Sequence, residues 1–379
     1  ADITITDGTF TNNIGDGIHN EGNTEANITI ENEGLFESNQ GDGIENISNG
    51  TSEITVNNSD FISNQGDGIH NESVGDSTIT VTDSEFQGNG GDGIENITTG
   101  DGNVTITIEN TDIIDHGSGY GVYNESNNNV VIDVDNSHIN ENLQGGIHNT
   151  TTGAANITII DSQLNDNASA GDGGALYSES SGASNITIEN SEFHNNTAQG
   201  DGGAIYAVNT GNDPEDTNFT IVKSELANNE ATGDGGALYV ENYNLKISDL
   251  YTTGSTEDAT AMENNTAQNG GAVYAKDCNV TVENAVFFNN TATENGGAIY
   301  YDNCNVADGQ QMVHVTIAGN SAENGGGIYA NNSDLCLINT TITNNHATDT
   351  GAGLYLNETK AIIIGSTIAG NIAENEAGG

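Results

Sequence analysis

A short motif that returns every 25 to 35 residues fixes what this chain can become. A small-residue turn followed by one aliphatic residue, as in Gly-Asp-Gly-Ile or Gly-Gly-Ala-Leu, recurs with anchors at Ile18, Ile44, Ile69, Ile94, Val122, Ile147, Leu176, Ile205, Leu238, Val273, Ile299, Ile328 and Leu354. Gly378-Gly379 begins a fourteenth turn. Self-similarity at such a period belongs to repeat architectures, in which each unit buries its apolar face only against its neighbours.

The order inside each unit is constant. About ten residues after the anchor comes a stretch of period-two alternation, such as Asn27-Ile28-Thr29-Ile30, Asn156-Ile157-Thr158-Ile159 or Asn279-Val280-Thr281-Val282. Another apolar residue follows, with an asparagine three positions later (Phe36/Asn39, Phe61/Asn64, Phe193/Asn196), and then a Gly-rich turn. Helical spacing is absent, and the single proline, Pro214, leaves the strands unbroken. Three short strands and three turns per unit are one coil of a parallel β-helix. The fold class is therefore all-β, a β-solenoid of about 13–14 coils. At about 4.8 Å per coil, thirteen coils would make a rod of about 60 Å.

Periodicity overrules what composition alone would suggest. The chain has 56 acidic residues against four lysines and no arginine, a formal charge of -52, and only 33% hydrophobic residues. That combination ordinarily marks disorder. Coils that hydrogen-bond to the coils above and below need only one or two inward apolar residues per strand. The turn asparagines (Asn13, Asn39, Asn64, Asn89, Asn142, Asn167, Asn196, Asn229, Asn265, Asn290, Asn320, Asn345, Asn371) fall in one column, broken only by His116. Stacked amides there can bond to one another and to the turn backbone.

From the Asn column to the next anchor is five residues in most early coils but eight or nine from Asn167 onward. We read residues 1–379 as one solenoid with two cross-sections, 1–160 with short Gly-Asp-Gly-Ile turns and 161–379 with longer Gly-Gly-Ala-Ile/Leu turns. Segments near 208–217, 251–262 and 305–312 are expected to be loops.

The pairs Phe193-His-Asn-Asn196 with Gly202-Gly-Ala-Ile205, and Phe287-Phe-Asn-Asn290 with Gly296-Gly-Ala-Ile299, form an FxxN and GGA(I/L/V) repeat. It resembles that of the chlamydial polymorphic outer-membrane proteins and of adhesin-like surface proteins of bacteria and archaea. The resemblance covers about 160–379; the earlier coils keep FxxN but carry Gly-Asp-Gly-Ile. It implies a right-handed parallel β-helix, display at the cell surface, and adhesive or structural work.

In a solenoid a site is a column. The first is acidic: Asp16, Asp42, Asp67, Asp92, Asp172, Asp201 and Asp234, all in Gly-Asp-Gly turns. Carboxylates about 5 Å apart repel by about 1 kcal/mol per pair even in water. Either Asp simply suits the turn and solubilises the surface, or the column holds Ca²⁺, although no EF-hand or GGxGxDxUx nonapeptide is present. The second column, one residue past the anchor, reads His19, Glu45, His70, Glu95, Tyr123, His148, and then Tyr177, Tyr206, Tyr239, Tyr274, Tyr300, Tyr329 and Tyr355. Seven of the twelve tyrosines form the unbroken run from Tyr177 to Tyr355, so this stripe is either a self-stabilising ladder or a surface that binds glycans or a neighbour. The third comprises strand-opening glycosylation sequons at Asn27, Asn103, Asn156, Asn185, Asn218 and Asn279, six of twenty Asn-x-Ser/Thr matches. Cys278 and Cys304 each lie five residues past an anchor, stack on successive coils and are expected to form a disulfide; Cys336 is left over.

These features set the order of functional readings. An enzyme acting on acidic polysaccharide needs basic residues to neutralise its substrate, and this chain has no arginine and no tryptophan platform; no catalytic residues are assigned. The charge excludes a nucleic-acid partner, and no apolar run is long enough to span a membrane. No cofactor is required, with Ca²⁺ the candidate ion. The leading expectation is an extracellular structural solenoid of a cell-surface stalk, sheath or fibre, with an adhesin module as the alternative. The chain opens on a strand and closes within a turn, so it is expected to be a segment of a longer protein or a subunit that self-associates end to end or laterally.

Overall fold

A computed structural model describes residues 1–211, 216–249, 262–306 and 311–375. The expected loops therefore lie largely outside the described residues, as does the terminal Gly378-Gly379 turn. All the strand pairings recorded among the described residues are parallel, and no α-helix occurs there. The chain separates into two compact units, one of residues 1–168 with 176–186 and one of 169–175 with 187–379. Each is a parallel β-solenoid, and together they make about 14 turns.

In the first unit a coil has three strands, as in Ile44–Ser48, Thr51–Asn57 and Ser59–Ile62. They belong to three sheets, here called C, A and B. Register is kept residue for residue. Ile18, Ile44, Ile69, Ile94, Val122 and Ile147 stack in sheet C. Ile28, Ile54, Ile79, Ile106, Ile132 and Ile157 stack in sheet A. In sheet B, Phe10, Phe36, Phe61 and Phe86 stack with centroids 4.5–5.0 Å apart and planes within 6°. Identical inward residues on successive coils fill the core as continuous columns, which is how a third of the sequence suffices for burial.

At least two bends in most coils place a residue in the left-handed region. Examples are Asn58 (φ 49°) and Ser63 (φ 55°) in one coil, and Asn284 (φ 49°) and Asn289 (φ 54°) in another. Asn and Asp tolerate this conformation better than other residues with a Cβ, because their short polar side chains bond locally. Most such positions are Asn or Asp. Part of the unusual composition is thus a requirement of the turns.

In the second unit the longer turn carries a fourth strand, such as Thr197–Ala198 or Thr291–Asn295, and these strands stack as sheet D. The three or four extra residues between the Asn column and the anchor thus make room for this additional paired strand. Gly203 shows why the turn must be glycine-rich. A Cβ there would lie 2.2 Å from the carbonyl oxygen of Gly236 and 2.6 Å from the backbone of Glu230.

The Asn column forms as expected. Asn64 Nδ2 donates to Asn89 Oδ1 (2.9 Å) and to the carbonyl of Phe36 (3.1 Å), while Asn64 Oδ1 accepts from Asn39 Nδ2 (2.8 Å). The pattern repeats through Asn229, Asn265, Asn290, Asn320 and Asn345 in the second unit. At the break, His116 Nδ1 accepts the Asn89 N–H (3.2 Å), but buried Nε2 has no partner. Burial pushes this imidazole down to about 4, because the charged form is penalised. A folded-state value below the unfolded 6.5 gives stability that is present above pH 6.5 and lost as pH falls through 4. His116→Asn should complete the ladder and remove that loss, which is up to about 3 kcal/mol. Chemical unfolding at pH 7 and pH 4.5 checks this: the variant's advantage should grow at the lower pH, and an equal difference at both would contradict it.

Candidate functional site

The Gly-Asp-Gly turns assemble the most concentrated chemistry in the molecule. In the first unit each aspartate uses one oxygen to hold the next coil. Asp16 Oδ1 accepts the N–H of Asp42 (2.9 Å), Asp42 Oδ1 that of Asp67 (2.7 Å), Asp67 Oδ1 that of Asp92 (2.6 Å) and Asp92 Oδ1 that of Tyr120 (2.6 Å). The preceding glycine is demanded by this bond. A Cβ on Gly66 would sit 2.0 Å from Asp42 Oδ1. Asp is thus a charged staple between coils, stronger than a neutral hydrogen bond.

The second oxygen of each aspartate remains outside that ladder, and there the His/Glu column joins the acidic one. His70 Nδ1 lies 3.4 Å from Asp67 Oδ2 and against Glu95 Oε2, while its Nε2 lies 3.3 Å from Glu72 Oε1. His19 pairs with Glu45 in the same way. Burial pushes His70 down, but its hydrogen bonds to Asp67 and Glu95 and their charges outweigh this and hold it up at about 11. Burial raises Asp42 to about 6, opposed by the Asp67 N–H and helped by the Asp67 charge. Asp92 is raised to about 7, again chiefly by burial. Among the described residues, three groups bring potential ligand atoms within 4.8 Å of one another: Asp16/His19/Glu45, Asp42/Asp67/His70 and Asp67/Asp92/Glu95.

In the second unit the acidic column changes character. Asp172 and Asp201 staple Asp201 and Asp234 (2.7 Å each), and Asp234 Oδ1 then accepts from Asn269 Nδ2 (2.8 Å). Asn269, Asn295 and Asn324 continue the column as amides. Among the described residues, no group of converging metal-type ligands includes Asp172, Asp201 or Asp234.

The tyrosine stripe is a stack. Centroids from Tyr206 through Tyr239, Tyr274, Tyr300 and Tyr329 to Tyr355 are 4.6–5.2 Å apart, with planes within 14°. In the first unit Tyr123, His148 and Tyr177 stack likewise. Most of these rings are half-buried and Tyr239 is buried, so the ring faces meet each other and the edges meet solvent. Tyr177 and Tyr239 donate their hydroxyls to Glu179 (2.7 Å) and Glu241 (3.1 Å). Burial raises the Tyr300 phenol to about 12, which keeps it protonated.

Two expectations need correction. Asn103 leaves the sequon column: Asn27 and Asn156 share a register with Glu53, Thr78, Thr105 and Val131, but Asn103 lies earlier in its coil, beside Asp76. The others keep to it within each unit: Asn185 donates to Asn156 (3.0 Å), and Asn218 and Asn279 share a register through Asn244, to which Asn279 donates (2.8 Å). Cys278 and Cys304 stack on adjacent coils, yet both are buried free thiols. Each donates to a carbonyl, Cys278 to Lys276 (3.1 Å) and Cys304 to Ala275 (3.1 Å). In-register parallel strands keep their Cβ vectors parallel, so Cβ atoms stay near the coil repeat instead of converging to the ~3.8 Å a disulfide favours. Cys336 is buried as well, so it is not presented to a neighbouring chain.

One polar feature escapes the sequence reading. Asn20, Asn46, Asn71, Asn96 and Asn124 lie inside sheet C and each donates to the next along a second ladder at 2.8–2.9 Å, which ends on Asn149 as acceptor. Its signal is an asparagine two residues past each anchor, where strand alternation points inward. In the second unit this position is Ala207, Val240, Ala275, Tyr301 and Ala330.

The segment from a left-handed bend, through the sheet B strand and its ladder asparagine, to the glycine turn and tyrosine is thus one structural module. Residues 190–208, 284–302 and 314–331, each one such module, match the model of the Chlamydia polymorphic membrane protein repeat. These three segments are similar to that repeat. All three matches lie in the second unit. Searches of curated proteins and of solved structures returned no match. No helix among the described residues is long and apolar enough to cross a membrane. A parallel β-solenoid with three segments similar to the polymorphic membrane protein repeat is consistent with a surface adhesin-like or structural protein.

Proposed function

We propose that the chain is a structural β-solenoid displayed outside the cell, forming part of a surface stalk, sheath or fibre. The observation that carries this reading is the direction in which the polar side chains are used. Amides, aspartates and tyrosine rings are each committed to the equivalent residue one coil away. Such ladders add cohesion along the stacking direction, where a structural element bears load, and they leave the net charge to keep the surface hydrated. The similarity to the polymorphic membrane protein repeat supports placement at a cell surface. No catalytic role is assigned.

The stacked tyrosines support a second reading as an adhesin module, in which ring edges and hydroxyls would meet a glycan or a neighbouring surface. The two readings diverge under the microscope. If the structural reading holds, immunogold labelling of the source cell should decorate continuous surface appendages, and the purified chain should assemble into fibres in negative stain. Purified particles that stay separate, together with cell or glycan binding abolished by Tyr300→Ala and Tyr329→Ala, would replace it with the adhesive reading.

A further inference from the structure

The Asp67–His70 corner of the first unit differs from an acidic column in having an imidazole at its centre. His70 Nδ1 faces Asp67 Oδ2 and Glu95 Oε2, and Asp42 brings its ligand atom within 4.8 Å of those of Asp67 and His70. The side chains of His70, Asp67 and Glu95 are only 16%, 15% and 20% exposed. The Oδ1 atoms of Asp42 and Asp67 are already fixed by backbone N–H groups, which pre-aims the remaining carboxylate oxygens. On the far side of the ring, Nε2 faces Glu72. A carboxylate on the distal nitrogen is the arrangement that orients metal-ligating histidines.

We propose that Asp42, Asp67 and His70 form a site for a divalent transition-metal ion of the zinc type, bound through His70 Nδ1 and the outer carboxylate oxygens. Glu95 faces the same nitrogen and converges with Asp67 and Asp92 on the adjoining corner. Such an N/O set is suited to zinc and its neighbours, whereas calcium takes six to eight oxygens and disfavours imidazole. Charge supports the choice. Asp42, Asp67, Glu72, Asp92 and Glu95 surround one histidine, so even a protonated ring leaves most of the negative charge uncompensated. Asp16, His19 and Glu45 repeat the chemistry closer to the surface.

The rival explanation is that His70 serves only as a resident cation. Titration of the metal-free full chain with Co²⁺ and Zn²⁺ at about 150 mM salt, where diffuse attraction is screened, separates the two. The expected result is a visible Co²⁺ absorption band that Zn²⁺ abolishes and an excess of Ca²⁺ does not. His70→Gln should weaken binding by at least ~10-fold. Asp67→Asn should also weaken it, while keeping the Oδ1 that holds the Asp92 N–H. Asp201→Asn, in the histidine-free column, should leave it unchanged. Circular dichroism confirms that each variant is folded. Binding that is insensitive to His70→Gln, or equally displaced by Ca²⁺, would overturn the proposal, as would no Co²⁺ band at all.

Discussion

Alanine at Asn64 should destabilise the first unit by about 4 kcal/mol, far beyond the ordinary value for removing one polar side chain. Asn64 is 1% exposed and its amide serves four groups. Its Nδ2 donates to Asn89 Oδ1 and the Phe36 carbonyl, and its Oδ1 accepts from both the side chain and the backbone N–H of Asn39. Removal strands those donors and acceptors where water does not reach, at about 1–3 kcal/mol each, less what local relaxation recovers. Because a repeat protein need not unfold in one step, the measurement is hydrogen exchange of the Asn39 backbone amide, which donates to Asn64 Oδ1, beside global urea unfolding. A loss under 1 kcal/mol with unchanged exchange would mean that the ladder contributes no cohesion.

The second large effect is steric. Gly203→Ala drives a methyl group to 2.2 Å from Gly236 O, against backbone that cannot rotate away. The coils must separate locally, breaking sheet D pairing, so a loss of more than about 4 kcal/mol or failure of the second unit to fold is expected. Gly117→Ala is the matched control, since a Cβ there meets nothing within 4 Å. Parallel thermal melts of the two variants decide it; equal melting temperatures would show that the turn is looser than described.

The anchors, the phenylalanine column and the Asn column could all be read from sequence, because each recurs at the coil period with its residue type intact. What could not be read has physical causes. The inner ladder from Asn20 to Asn149 was hidden because a polar residue on a strand ordinarily signals the solvent face; only the fixed spacing from the anchor betrays it. Asp67 and His70 are three residues apart across a turn, and counting alone cannot show that their ligand atoms converge on one corner. The acidic column continues through Asn269, Asn295 and Asn324, where a change of residue type masks an unchanged role. The thiols of Cys278 and Cys304 are adjacent in register, but a disulfide depends on how Cβ vectors converge, which parallel stacking opposes.

The buried amide ladders have a thermal consequence. Unfolding raises heat capacity through the apolar surface it exposes and lowers it through the polar surface. A solenoid whose interior contains columns of asparagine should therefore show a heat-capacity increment below the ~12–15 cal/mol/K per residue usual for globular proteins. Its stability curve would then be shallow, changing little between cold and warm surroundings, and differential scanning calorimetry would reveal this as a small step between the folded and unfolded baselines.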